Sequence, residues 1–401
     1  MTGTATTRRG MRDRVAIVGM ACTHFGELFD KGIDDLLIES ALGATESAGI
    51  GIHDVEAFWL GTRQSGVGGD ALSVPLKLDM PPVTRVENRC ATGSDALRNA
   101  CFAVASGAYD VAMAIGGEKL KDSGMSGLLG YGLPSAGTDP DFTGPGLFSF
   151  LVPAYAERYG IDEELVKDAM THIAWKNHSN GAKNPRAHFR KEVSRETIRA
   201  AAPIAGRLGI FDCSGVSDGS AAAVVVPAEV AHRYTDKPIY VKGFGLAAGP
   251  HDGLKRTDYD FATFPEVVRS AQVAYLEAGV TAPAEQLAFA EVHDCFTPTE
   301  MVLMEDLGFS ERGKAWRDVL DGTFDLHGRL PVNPDGGLKS FGHPVGASGL
   351  RMLFECWLQL RNEAPADRQI VTDRSLALTQ NLGGQPGGCV SFVGIFGSEL
   401  G

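Results

Sequence analysis

Short apolar runs alternate with segments of helical periodicity along the first half of the chain. Leu37 and Ala41 recur on one side of residues 33–47, which predicts a helix. Gly49 closes that helix. The predicted elements of this half are a strand at 14–19, the helix at 33–47, a strand at 55–61, a helix at 91–105 and a strand at 110–116. Such alternation predicts a mostly parallel sheet that is covered by helices on both faces.

The second half of the chain repeats this plan. Residues 278–280 (Ala-Gly-Val) end its first helix as residues 48–50 (Ala-Gly-Ile) end the corresponding helix of the first half. The repeat predicts two copies of a unit of roughly 200 residues, which is a duplication and not a solenoid. We therefore divide the chain into an N-terminal half, 1–235, and a C-terminal half, 236–401. The predicted elements of the C-terminal half are strands at 238–245, 287–293, 375–384 and 388–397 and helices at 264–277 and 342–358.

An insertion at about residues 119–208 interrupts the N-terminal half. It is rich in glycine and proline up to Pro145 and helical at 148–177, and it shows little strand character. The apolar segment 217–226 then returns to the sheet as the last strand of this half. The second helix of the N-terminal half and the last helix of the C-terminal half hold equivalent places. If the copies pack about a pseudo-twofold axis, both helix starts face one crevice, which the insertion covers.

Composition limits the classes of function. The 401 residues are 44% hydrophobic and 22% charged, which is ordinary for a soluble globular protein. No apolar run approaches the roughly 18 residues that a membrane span requires, and polar residues 1–14 are predicted to form a disordered tail. The net charge of -13 disfavours nucleic acid and anionic membranes as partners. The seven cysteines lack CxxC spacing, so we expect a reducing, cytoplasmic compartment without disulfides or a metal site.

Three short motifs carry the candidate chemistry. Cys90 precedes a helix of small residues, and a helix N-terminus makes a thiol a better nucleophile. The second motif is His293-Asp294-Cys295-Phe296, and the third is Gly342-His343-Pro344. Each has a plain structural interpretation on its own: a buried cysteine, a core histidine at a strand end, and a helix cap. Together they combine a nucleophile with two imidazoles, which favours nucleophilic catalysis.

With these motifs and the duplication, the chain resembles the thiolases, and more narrowly the thiolase module of the sterol-carrier-protein-x (SCP2) group and its bacterial and archaeal relatives. The resemblance covers nearly the whole chain. It implies an α/β thiolase fold, with duplicated mixed five-stranded sheets, helices in layers (αβαβα) and an inserted loop domain. It also implies a homodimer or a dimer of dimers, coenzyme A as co-substrate, and no permanently bound cofactor.

The resemblance assigns roles to individual residues. Cys90 would attack the keto carbon of a 3-ketoacyl-CoA, and His343 would be its base. His293 and His343 would hold the enolate oxygen, while backbone N–H groups of Cys90 and Gly383 would hold the acyl oxygen. Common thiolases carry a second acid in a Cys-x-Gly triplet, where this chain has Asn381-Leu382-Gly383. The second acid is then expected to be Cys295, with Cys389 as the alternative. The remaining cysteines are interpreted as core residues: Cys22, Cys101, Cys213 and Cys356.

A basic run in the insertion has two interpretations. It contains Lys183, Arg186 and Arg190, together with His188 and Lys191. It is either a solvated face or a contact for the phosphates of coenzyme A, which an acidic protein must bind through a local patch.

The expected function is that of a CoA-dependent thiolase, an acetyl-CoA C-acyltransferase of lipid metabolism such as fatty acid or sterol side-chain degradation. It would cleave 3-ketoacyl-CoA or run the reverse condensation. One alternative is a retro-aldolase or acyltransferase that works with a partner subunit, for which a zinc-ribbon/OB-fold protein of the DUF35 type is the candidate. Another is a non-catalytic acyl-CoA-binding subunit. The presence of Cys90, Cys295 and both histidines favours the thiolase.

Overall fold

The computed structural model describes residues 10–122 and 143–401. The strands are β1 Val15–Cys22, β2 Ala57–Gly61, β3 Val83–Val86, β4 Ala112–Glu118, β5 Pro203–Ala205, β6 Leu208–Gly209, β7 Gly219–Pro227, β8 Ile239–Ala248, β9 Leu287–Glu291, β10 Leu376–Gln385 and β11 Gly388–Gly397. The helices are α1 Ile33–Ser47, α2 Asp70–Ser73, α3 Thr92–Ala105, α4 Gly144–Phe148, α5 Leu151–Tyr159, α6 Glu163–Ala182, α7 Arg195–Arg199, α8 Pro265–Ala278, α9 Pro283–Gln286, α10 Thr297–Asp306, α11 Ala315–Leu320, α12 Gly337–Ser340 and α13 Ser348–Leu360.

The main sheet is mixed, in the order β3-β2-β4-β7-β1-β8-β11-β10-β9. Strands β2, β3 and β4 are parallel to one another, and so are β9 and β10, but the pairs that involve β1, β7, β8 and β11 with their other neighbours are antiparallel. The prediction of a mostly parallel sheet is therefore wrong. One reason is that only two residues, 386–387, connect β10 to β11, and so short a turn joins antiparallel strands.

The two halves contribute equivalent sheets, which confirms the duplicated mixed α/β fold. The N-terminal half supplies the five predicted strands, β3-β2-β4-β7-β1, but the C-terminal half supplies four, β8-β11-β10-β9, and not five. Next to β9, Val332 forms a single parallel bridge to Ala290, in the place that β3 takes beside β2. Only the pairs Ala16–Tyr240 and Ile17–Ile239 join the halves through β1 and β8.

Alternating residues along the strands build the layers. Ala16 and Val18 of β1 pack in one cluster with Leu37 of α1 on the outer face of the first sheet. Val15 and Ile17 face the opposite way, into a cluster that also holds apolar residues of α3, α13 and β10. On the outer face of the second sheet, α8 packs on β8 and β11. Helices α3 and α13 therefore lie side by side between the two sheets, which brings the two halves together at their helix starts.

Parts of the insertion and of the N-terminus differ from expectation. Helices α5 and α6 match the predicted helical segment, while the glycine- and proline-rich residues 123–142 lie outside the described residues. Met11 is buried and Asp13 accepts a hydrogen bond from Lys242 at 2.5 Å. The predicted disordered tail is thus wrong for residues 11–14, because these contacts hold them on the fold, and residues 1–9 lie outside the described residues. Among the described helices, none has the length and apolar character of a membrane span.

Candidate active site

Cys90 occupies a tight turn between β3 and α3. The Asn88 backbone N–H donates to the Thr92 hydroxyl at 2.8 Å, and the Asn88 side-chain amide donates to Asp95 at 2.6 Å. Arg89 has φ 55°, a left-handed conformation that a non-glycine residue adopts at a cost. The surrounding hydrogen bonds stabilise that conformation and hold Cys90, which is 4% exposed, just before the first residue of α3.

The segment after β9 alternates its side chains as an extended chain does. Asp294 turns away from the site and accepts hydrogen bonds from the Leu338 backbone N–H at 2.6 Å and the Asn177 amide at 2.8 Å. The side chains of His293 and Cys295, two residues apart, then lie on the opposite side of this segment from Asp294. Asp294 thus anchors the segment on both α6 and α12, which fixes where the neighbouring imidazole and thiol lie.

His343 lies in a loop that leads into α13, and not in the helix itself. The helix was predicted to begin at residue 342, but α13 begins at Ser348. Gly342 has φ 114°, and a Cβ atom there would lie 2.4 Å from the Ser217 hydroxyl, so a helix could not start at this residue. The His343 backbone N–H donates to the Gly215 carbonyl at 3.0 Å. The loop is therefore seated against the segment that leads from the insertion into β7.

The structure brings the nucleophile candidate and both histidines together. The Cys90 Sγ and one ring nitrogen each of His293 and His343 all lie within 4.8 Å of one another. The two imidazole rings have centroids 5.3 Å apart and cross at 81°. All three side chains are buried. One residue comes from the N-terminal half and two come from the C-terminal half, so the site forms only where the halves meet.

Hydrogen bonds around His343 assign its tautomer. Its Nδ1 lies 2.7 Å from the Ser348 hydroxyl, and that hydroxyl donates its own hydrogen to the Pro344 carbonyl at 3.0 Å. The ring must therefore supply the hydrogen between Nδ1 and Ser348. Nε2 is left with its lone pair and makes no hydrogen bond with any residue that the structure describes. His343 is thus arranged as a proton acceptor.

Burial decides the charge state of the site. It lowers the pKa of His343 to about 3, helped by the nearby Arg351 guanidinium. Burial also lowers the pKa of His293 well below its ordinary value, with His343 and Arg351 contributing. For Cys295, burial and then the charge of Cys90 raise the pKa well above its ordinary value. Near neutral pH the site therefore holds two neutral imidazoles and a protonated Cys295 thiol.

The other predicted site residues take different positions. A Cβ atom on Gly383 would lie 2.3 Å from the Asn88 carbonyl oxygen and 3.0 Å from the Ala91 nitrogen, so β10 passes directly beside the Cys90 turn. Cys389 is buried in the core around β11, and its backbone N–H donates to Glu266 at 3.4 Å. The cluster of one thiol and two imidazoles includes neither Cys389 nor Cys295.

The basic run divides into anchored and exposed side chains. The Arg186 guanidinium donates to the Cys22 carbonyl at 3.0 Å and lies 5.2 Å from the Phe354 ring centroid. Arg190 is exposed and Lys183 is half-buried at the C-terminal end of α6. Arg186 is itself exposed, but it has a structural contact that the sequence did not indicate.

Glu118 is a residue of the site that sequence reasoning missed. Its carboxylate is buried and accepts hydrogen bonds from the backbone N–H groups of Gln64 at 2.9 Å, Ser65 at 2.9 Å and Gly346 at 3.1 Å. It thereby fastens the His343 loop to the first sheet. The only signal in the sequence is an acidic residue at the end of an apolar strand.

Comparison with known proteins places this arrangement in a family. Residues 15–229 match the thiolase N-terminal domain, and residues 250–393 match the family described as thiolase C-terminal domain-like. The chain is 36% identical over 394 residues to acetyl-CoA acetyltransferase of Methanothermobacter thermautotrophicus, covering 94% of this chain and 98% of the relative. Sterol carrier protein 2 of Gallus gallus is 31% identical over 403 residues, covering 93% of this chain and 70% of that protein.

A solved structure of an Ltp2-ChsH2(DUF35) aldolase shares the fold, with a TM-score of 0.82 at 23% identity over 97% of this chain and 98% of that one. Both domain matches, the relatives named acetyl-CoA acetyltransferase and the duplicated fold agree. The chain belongs to the thiolase family, whose members are acyltransferases that use coenzyme A as a substrate.

Proposed function

We propose that this protein is a thiolase that exchanges an acyl group between a 3-ketoacyl-CoA and coenzyme A through a thioester on Cys90. The observation that carries the proposal is the buried cluster of the Cys90 thiol with two neutral imidazoles, one of which presents a lone pair that has no hydrogen-bond partner among the described residues. Acyl transfer through a thiol needs a nucleophile, a base and a donor for the oxyanion within hydrogen-bonding reach of one another.

The first half-reaction forms the acyl-enzyme. His343 takes the proton of Cys90 at Nε2, and the thiolate attacks the keto carbon of the substrate. The bond between that carbon and the α-carbon then breaks, and its electron pair moves onto the departing acetyl-CoA as an enolate. His293 holds the enolate oxygen, and Cys295 gives its proton to the enolate carbon, so acetyl-CoA leaves neutral.

The second half-reaction returns the enzyme to its starting state. The thiol of coenzyme A gives its proton to the Cys295 thiolate and attacks the acyl carbon on Cys90. Cys90 leaves as a thiolate and recovers its proton from His343. Every proton that the first half-reaction moves is thereby restored, and the reverse order of steps gives a condensation.

A retro-aldolase is the alternative within the same fold. An aldolase needs a base and an oxyanion donor, but it does not need a cysteine that carries an acyl group. The Cys90 Sγ lies within 4.8 Å of a ring nitrogen of each imidazole, and the charge of Cys90 is among the causes that raise the pKa of Cys295. These two observations support a site in which both thiols act, which favours acyl transfer. Incubation with acetoacetyl-CoA and free coenzyme A tests this, because a thiolase makes acetyl-CoA and an aldolase does not.

Replacing His343 with alanine should slow acylation of Cys90 by roughly 10²- to 10⁴-fold, the usual contribution of a general base. Binding of coenzyme A should change little. The base works in its neutral form, above its pKa, and burial lowers that pKa to about 3. Acylation by the parent protein should therefore show no histidine inflection between about pH 5.5 and 8, where an exposed imidazole titrates. Stopped-flow or quenched acylation with acetyl-CoA measures both.

The control is His178→Ala, which removes another buried imidazole, packed between Phe189 and Phe211. It should acylate at the parental rate. Equal acylation rates in His343→Ala and the parent would contradict the role of His343 as the base and leave it a structural role in the loop.

Reversing the charges of Lys183 and Arg190 should raise KM for coenzyme A about 30-fold, since two charged contacts to phosphates at roughly 1 kcal/mol each contribute about 2 kcal/mol. Arg186 is left in place because it holds the Cys22 carbonyl. Thioesters of pantetheine, which lack the nucleotide, should keep their KM. The control reverses the exposed Arg233 and Lys237, which lie at the far end of the sheet near the start of β8. An equal rise in KM for both substrate types would assign the run to a solvated face.

A further inference from the structure

We propose that Asn381 is a positioning residue that holds His293 in the tautomer with its proton on Nε2. The inference rests on the proposed function, since it concerns how the site holds an enolate oxygen. The side-chain amide nitrogen of Asn381 lies 3.0 Å from His293 Nδ1. An amide nitrogen donates hydrogen bonds and does not accept them, so Nδ1 is the acceptor and keeps its lone pair. A neutral ring must then carry its proton on Nε2.

A second hydrogen bond engages the other end of the amide. The Ser94 hydroxyl, on α3, donates to the Asn381 Oδ1 at 3.2 Å. With its oxygen on Ser94, the amide directs its nitrogen at His293. Both Asn381 and Ser94 are buried, so water does not compete for either contact. A Cβ atom on Gly349 would lie only 2.8 Å from Oδ1, which shows how closely α13 confines the amide.

The two imidazoles of the site then differ in what they present. His343 offers a lone pair at Nε2, because Ser348 takes the hydrogen of its Nδ1. His293 offers an N–H at Nε2, because Asn381 occupies its Nδ1. One ring accepts the proton of Cys90 and the other donates to an oxyanion, which is the division of labour that acyl transfer requires. It also disfavours zinc at the cluster, since a protonated Nε2 cannot be a ligand and only two donors remain.

This role fits an asparagine at position 381, the place where the resemblance implies the second acid of common thiolases. An amide does not titrate in the useful range, so Asn381 cannot transfer the proton. It acts through His293 instead, and proton transfer to the enolate carbon is left to Cys295. The two departures from the common pattern, at Asn381 and at Cys295, are then parts of one arrangement.

The test replaces Asn381 with aspartate. A carboxylate at this position can only accept, so Nδ1 of His293 must carry a proton, and the neutral ring presents a lone pair at Nε2. Long-range ¹H–¹⁵N spectra of ¹⁵N-histidine-labelled protein report which nitrogen is protonated, and a His293→Gln sample assigns the signal. At about pH 8 we expect a protonated Nε2 in the parent and a protonated Nδ1 in Asn381→Asp.

The rate at which the acetyl-CoA methyl protons exchange with deuterated water is the functional assay. At about pH 8 it should fall roughly 100-fold in Asn381→Asp, the loss expected for one oxyanion donor. At lower pH the carboxylate favours an imidazolium, in which Nε2 regains its proton, so exchange should recover as pH falls. The other titratable or charged groups facing His293 are Cys90, Cys295, His343 and Arg351, and they are the same in both proteins.

Gln380→Glu is the matched control. It places the same buried charge one residue away, on a side chain whose Oε1 accepts from the His293 backbone N–H and not from its ring. This variant should keep the parental tautomer and lose less than about 3-fold in exchange. A protonated Nδ1 in the parent, or an unchanged tautomer in Asn381→Asp, would overturn the inference, and neither result depends on activity. If the parent protein shows the expected tautomer of His293 but no exchange of the acetyl-CoA methyl protons, the proposed function is refuted and the inference about the tautomer is not.

Discussion

Cys90→Ala should abolish thiolysis of 3-ketoacyl-CoA, with a rate loss of at least about 10⁴-fold, because no other group can form the acyl-enzyme. Cys90 alone among the cysteines combines the start of a long helix with two imidazoles within 4.8 Å. Cys295 and Cys389 have thiols whose pKa burial raises well above the ordinary value, so neither supplies a thiolate near neutral pH. Spectrophotometric thiolysis measures the loss.

The fold should survive this substitution. Only the Sγ atom is removed, and such a small change costs about 1 kcal/mol of unfolding free energy. Cys101→Ala is the matched control, since Cys101 is a buried cysteine within α3, the helix that Cys90 precedes, and is packed in the cluster between the sheets. It should retain the parental rate. If Cys90→Ala kept more than about a hundredth of that rate, a different nucleophile would have to be sought.

Cys295→Ser should abolish exchange of the acetyl-CoA methyl protons with deuterated water. The enolate carbon must be protonated, and Asn381 cannot do it, so a titratable group has to lie within about 3 to 3.5 Å of that carbon. Cys295 lies two residues from His293 on an extended segment, and the charge of Cys90 is among the causes that raise its pKa. A serine hydroxyl is a far weaker acid, so the loss should reach at least about 10³-fold.

Acylation of Cys90 by a simple acyl-CoA should be largely intact in Cys295→Ser, because that step breaks no carbon–carbon bond. Cys389→Ser serves as the comparison, since Cys389 is similarly buried, but after burial the charges that raise its pKa are those of Glu266 and Asp306, whereas Cys90 contributes for Cys295. Parental exchange in Cys295→Ser together with lost exchange in Cys389→Ser would assign the second acid to Cys389.

Local patterns predicted the elements that depend on neighbours in the sequence. Helix 33–47 and strand 388–397 have the predicted bounds, since periodicity and glycine punctuation determine both. The start of α13 was misplaced because residues 342–347 are held by distant contacts, with Gly215 and Glu118, that no local pattern contains. The predicted relative direction of the strands was wrong for a similar reason. It depends on which distant strands pair, as when β1 at the start of the N-terminal half pairs with β7 at its end.

The chemistry of the site was predicted unevenly. The motifs around Cys90, His293 and His343 were visible in the sequence, but the burial that lowers the pKa of His343 to about 3 was not. Burial and hydrogen-bond partners depend on packing. For the same reason the part that Ser348 plays in the tautomer of His343 could not be seen, although the residue lies only five positions further along the chain.

The most direct test of the account is the mass of the intact protein after brief exposure to acyl-CoA thioesters of different chain length. We expect one added acyl group per chain, located on the peptide that contains Cys90, removed by free coenzyme A and missing in Cys90→Ala. An acyl group on Cys295 or Cys389 and none on Cys90 would contradict the account. So would cleavage of a 3-ketoacyl-CoA by a protein that never carries an acyl group.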